Sequence, residues 1–195
     1  MTDRRRAVWL SAATVVWNAI VGGAAVATAV VTGSLSLIGF GANALVDSSV
    51  SSLLIWRFLE PGDERAERLE RIALRVAGVA FLLVGSYLVV RASLALEEAH
   101  RASFSIFGAV EAGTSLVVLP YLAVGKYRVS ARLGSRALRA DSLLSGAGVA
   151  LAAVTLLGLL LQRGLGWWWA DSVAALVIAA FLFSEGFRTL RTEAD

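Results

Sequence analysis

At 195 residues, 57% of them apolar and only 17% charged, with a mean hydropathy of +0.72, the chain departs from soluble domains, which run at about half apolar and about a quarter charged. It has no cysteine and two prolines, which excludes a disulfide-stapled secreted domain, thiolate chemistry and a Pro-rich low-complexity tail. The net charge of +3 does not make a nucleic-acid surface, because the basic residues stand between hydrophobic blocks and form no continuous stripe.

A hydrocarbon layer about 30 Å thick needs about 20 apolar helical residues to cross it. In chain order, six segments meet that requirement, at 8–32, 35–58, 72–95, 104–125, 140–162 and 167–188. The sequence thus predicts an all-α integral membrane protein, one domain of six transmembrane helices over residues 1–195. The first segment follows Arg4, Arg5 and Arg6 and could be taken for a signal peptide, but its apolar run continues past Gly22 and Gly23 to Val31, longer than a signal core. It reads as a retained helix. The stretch around Glu60 to Glu70, with Asp63, Glu64 and Glu67, reads as a helical turn or extension and not as a domain. His100, the single histidine, stands beside Glu97 and Glu98 and reads as a solvated loop residue. Glu185 lies three residues before Arg188, the spacing of a surface ion pair on a helix.

Sorted by alternate loops, Lys and Arg fall heavily on one side. That side collects Arg4 to Arg6, the arginines from Arg57 to Arg75, the group Lys126, Arg128, Arg132, Arg136 and Arg139, and Arg188 and Arg191; the other has Arg91, Arg101 and Arg163. Short cytoplasmic loops attract Lys and Arg, so both termini are expected in the cytoplasm, in a bacterial-type plasma membrane. Trp167, Trp168 and Trp169 then fall at the opposite headgroup region, where indole rings prefer to sit.

A charge at the centre of a membrane helix costs about 3 kcal/mol on insertion scales, so an intramembrane carboxylate needs a purpose. Asp47 lies near the middle of the second span, with Asn43 and Ser51 at i−4 and i+4 on the same face. Counting about 1.5 Å per residue from the cytoplasmic ends puts Asn18, Asn43, Asp47 and Glu111 at comparable depth. They are expected to converge near mid-membrane. Asp141 would lie only about 5 Å inside the fifth helix, at a cytoplasmic entrance, with Ser145 one turn deeper. Each residue also has a plainer reading. Asp47 could be protonated in an interhelical hydrogen bond, Asn18 and Asn43 could join helices, Glu111 could snorkel outward, and Asp141 and Asp171 could complement helix N-termini.

Carboxylate and amide oxygens without imidazole or thiolate make a hard site, fit for a divalent cation or for its exchange with protons. No nucleophile and base pair is visible, and no prosthetic group is implied, so an enzyme is not expected. The absence of Cys, and of His from the spans, favours manganese or magnesium over softer ions.

Three segments carry a resemblance. LGSRALRADS, residues 133–142, resembles the opening of the fifth helix of the cation diffusion facilitator transporters; SLIGFGANALVDSSVSS, residues 36–52, resembles their second helix, and GWWWADSVAALVIAAFLFSEG, residues 166–186, their sixth. The similarity covers nearly the whole chain and implies a six-helix bundle, a homodimer, and proton-coupled efflux of zinc or a related ion. It implies a metal stripe on the second helix at Asn43, Asp47 and Ser51, and a fifth-helix metal pair at positions here occupied by Leu144 and Gly148. With about seven residues after the sixth span, the chain resembles the short branch without a C-terminal cytoplasmic domain. The alternative is a transport-inactive membrane scaffold with a degenerate metal site.

Overall fold

The computed structural model describes residues 3–59, 64–99 and 102–192. Glu60, Asp63, His100 and Arg101 lie outside these, and what the sequence predicts of them with them. Six helices follow in order: α1 (Asp3–Thr32), α2 (Leu35–Leu59), α3 (Glu64–Glu97), α4 (Ile106–Leu133), α5 (Arg136–Leu165) and α6 (Ala170–Thr192). Each contains a window long and apolar enough to cross a bilayer. The acidic stretch after Glu64 continues α3 as an N-terminal extension.

Helices end where glycine and serine place the chain. Gly134 takes a left-handed φ of 62° and its N–H closes on the Ser130 carbonyl, while the Ser135 hydroxyl accepts from Leu138 N and starts α5. A side chain other than glycine is strained at that φ. The expected loop at 126–139 therefore contracts to these two residues, and Lys126, Arg128 and Arg132 lie on α4 itself.

Contacts at the two ends show how the helices alternate. At one end the Arg4 guanidinium donates to the Phe58 carbonyl at 2.6 Å and Arg132 meets Asp3 at 3.4 Å. This Arg-rich end gathers the start of α1 and the ends of α2 and α4. At the opposite end Ser103 N donates to the Thr32 carbonyl at 2.8 Å, and the Asp171 carboxylate accepts from Leu35 N at 2.8 Å and Ser34 Oγ at 2.7 Å, with Ser36 Oγ as a third donor. Asp171 stands in the first turn of α6, but its carboxylate satisfies an orphan N–H group, that of Leu35, at the start of α2.

The tightest pairings are α1 with α2, α4 with α5 and α3 with α6, and α2 also touches α3, α5 and α6. It is the central helix: 56% of its membrane window is buried, against 28–39% for the other five. Close approach of α1 and α2 depends on Gly22 and Gly41. A Cβ built on Gly41 would stand 2.9 Å from the Gly22 carbonyl oxygen and 2.8 Å from Val26 Cγ2. The apolar core forms two clusters, a large one including Phe40, Phe81, Leu151 and Ile178, and a small one of Ala7, Val129 and Leu138 at the Arg-rich end. Between them lies a polar layer.

Candidate cation site at the bundle centre

Asp47 stands 12 residues from either end of α2, about 18 Å along the axis, and is 1% exposed. Its Oδ2 accepts from Asn18 Nδ2 of α1 at 2.6 Å and from Ser145 Oγ of α5 at 3.1 Å. Its Oδ1 is buried without a hydrogen-bond partner among the described residues, as is Asn43 Oδ1 one turn away on the same face of α2. Buried polar atoms are almost always paired. Two unpartnered oxygens on one stripe of the central helix are what a bound cation would use.

The same network holds a group that the residue pattern did not announce as functional. Lys126 of α4 is fully buried, and its ammonium meets Asp141 Oδ2 of α5 at 2.7 Å, both side chains at 0% exposure. It also donates to Ser51 Oγ and Ser145 Oγ, each at 3.1 Å, while Ser51 Oγ donates to Asp141 Oδ1 at 2.7 Å. All three ammonium donors are thus spent. Ser145 joins the two acids, accepting from Lys126 and donating to Asp47. Four helices therefore contribute to one continuous polar network.

Three expectations change. Asp141 is not at an open mouth but sealed at 1% exposure, because α4 runs on to Leu133 and carries Lys126 inward to neutralise it. Lys126, placed by sequence among cytoplasmic loop charges, is an interior residue for the same reason. One signal pointed to it: it is the only lysine beside 17 arginines, and an ammonium is the cation that fits a compact three-acceptor site. Glu111 does not join the centre either. It lies five residues from the start of α4, about 8 Å from the end opposite the arginines. The longer α4 accounts for its displacement. Asn18, Asp47, Ser51 and Ser145 do come together, with Asn18 as a donor that orients Asp47; Asn43 stands one turn from Asp47 on the same helix face, outside this hydrogen-bonded network.

From Glu111, the α4 face leads inward through buried Ser115, four residues on, to Leu119. Leu119 and Asn43 both border the position a Gly148 Cβ would fill, at 3.2 and 3.5 Å. Leu144, the other fifth-helix position of interest, packs against the large apolar cluster. Among the described residues no three His, Cys, Asp or Glu side chains gather around one point. A cation here would be held by carboxylate, amide and hydroxyl oxygens. Glu185 pairs with Arg188 at 2.9 Å, as its spacing suggests, with the acid largely buried and the arginine exposed.

Six membrane-length helices that enclose acids, amides and an ammonium define a multi-pass integral membrane protein of the kind that moves charged solutes. The chain matches the cation efflux transmembrane domain family over residues 11–195 and belongs to that family. It is 25% identical over 194 residues to transmembrane protein 163 of Xenopus laevis, covering 96% of this chain and 67% of that one. It is 33% identical over 92 residues to the cation-efflux pump FieF of Shewanella oneidensis, covering 45% of this chain and 31% of the pump.

Proposed function

We propose that this protein exports a divalent cation, of the zinc or manganese class, in exchange for protons, with Asp47 at the centre of the site. The observation that carries this reading is the unpartnered Asp47 Oδ1, buried at mid-helix beside an unpartnered Asn43 Oδ1. Asp47 and Asn43 coordinate the cation, Asn18 holds Asp47 in place, and Ser51, Ser145 and Asp141 border the site toward the Arg-rich end. Glu111, with its unpartnered Oε2, carries protons at the far end. The one-sided arginine distribution supports cytoplasmic termini in a bacterial-type plasma membrane, and the family membership supports a homodimer.

The test is ion flux into proteoliposomes with zinc and manganese, for the parent and Asp47→Asn, with and without a pH gradient. The reading expects parent flux that falls when the gradient is collapsed and at least about tenfold less flux in the variant, a loss of about 1.4 kcal/mol or more in ion stabilisation. Equal flux in parent and variant would remove Asp47 from transport. A second reading, a transport-inactive scaffold, is favoured by Leu144 and Gly148, which supply no side-chain ligand; it predicts no flux in either protein.

A further inference from the structure

The Lys126–Asp141 pair sits one hydroxyl from Asp47, and ordinary structural pairing does not account for all of its geometry. The ammonium is held by a carboxylate oxygen and two hydroxyl oxygens from α2 and α5, at 2.7, 3.1 and 3.1 Å. These are hard oxygens suited to a small cation. One ammonium faces two carboxylates, so the formal charge of the centre is one short of neutral, and the oxygen left over is Asp47 Oδ1. Lys126 stands seven residues from the end of α4, about 10 Å, on a flexible four-carbon stem.

We propose that the Lys126 ammonium is a tethered cation occupying a second cation site, made by Asp141, Ser51 and Ser145, which a transported ion enters by displacing it. The step makes no bond and moves no proton; one cation takes the place of another. Ser145 is the pivot, since the hydroxyl that accepts from Lys126 is also the donor to Asp47. When the ion leaves, the ammonium returns and clears the acids, so the tether speeds release as much as it opposes binding. An arginine would serve poorly here, because its rigid planar fork cannot fit three converging acceptors and withdraw again. The inference rests on the cation transport proposed above.

The experiment measures binding of zinc and of manganese to the purified full chain in detergent by calorimetry, and flux in proteoliposomes, for the parent, Lys126→Met, Asp141→Asn and the double variant. Without the tether, Lys126→Met is expected to bind at least about tenfold more tightly than the parent, within the range of ordinary coupling between sites, and to turn over more slowly because nothing displaces the ion. Asp141→Asn is expected to bind more weakly than the parent, its ammonium drawn onto Asp47, and Lys126→Met in that background to recover affinity. If Lys126→Met alone does not fold, this last comparison decides the same point. Equal or weaker binding on removal of the lysine, in both backgrounds and with a parent that binds, makes Lys126 a structural counter-ion and overturns the proposal. A parent that neither binds nor carries either metal defeats the transport reading itself, and this inference with it.

Discussion

The buried pair between Lys126 and Asp141 makes a strong prediction about stability, separate from transport. Both side chains are at 0% exposure and 2.7 Å apart. Replacing Asp141 by Asn leaves an ammonium with two serine hydroxyls and no carboxylate in direct contact, Asp47 standing one hydroxyl away; replacing Lys126 by Met leaves a carboxylate whose remaining donor is Ser51. Stranding one partner of a buried pair costs about 3–5 kcal/mol. The double variant Lys126→Met with Asp141→Asn removes both charges at similar volume, leaves the new amide at position 141 beside the Ser51 hydroxyl as a hydrogen-bond partner, and should cost no more than about 1 kcal/mol, since no buried charge is stranded. Two single losses adding to about 6–10 kcal/mol against a double loss near 1 give a coupling of about 5–9 kcal/mol. Reversible unfolding of the four proteins in mixed detergent micelles, followed by circular dichroism, measures it. A coupling below about 1 kcal/mol, the value for exposed pairs, would refute the claim that water is excluded from this site.

Three further outcomes are expected. Glu111→Gln should leave zinc and manganese affinity within about twofold of the parent, because Glu111 lies outside the central network, while flux loses its response to an imposed pH gradient; a large fall in affinity would place Glu111 among the ligands. Gly41→Ala should destabilise by about 1–3 kcal/mol, since its Cβ would meet the Gly22 carbonyl oxygen at 2.9 Å. Gly23→Ala, where nothing lies within 4 Å, should be neutral or stabilising, and chemical denaturation of both compares them. Asp171→Asn removes a carboxylate that accepts from Leu35 N, Ser34 and Ser36 and should cost about 3 kcal/mol with cation affinity unchanged, because Asp47 is about 18 Å further along α2. Calorimetry on a refolded sample showing lost binding would contradict that separation.

Much of the fold was legible because the bilayer imposes it. Each span must be about 20 apolar residues and helical, since lipid offers no partner to an open backbone, and the six helices include every predicted segment except the first few residues of the fourth and sixth. Boundaries were less accurate where apolarity stops before the helix does. Lys126, Arg128 and Arg132 ended the apolar run of the fourth span, but helix propensity carries α4 on until Gly134 offers a left-handed cap. That eight-residue difference moved Glu111 away from the centre and brought Lys126 in.

The site divides in the same way. A carboxylate at the middle of an apolar helix is costly in any arrangement, so Asp47 could be singled out from composition and position alone, and Asn43 and Ser51 follow from helical period. The partner of each acid was beyond that reach. Whether Asp141 faces water or an ammonium depends on how α4 leans against α5 and where its helix stops, which are matters of packing between segments distant in sequence. The amino-acid order by itself determined six crossings, their breaks and the acid at the centre, because lipid solvation acts on each helix separately. Only the tertiary arrangement decided that Asn18 and Ser145 hold that acid, that Glu111 stands apart, and that a lone lysine supplies the interior charge, because these depend on which helix faces meet.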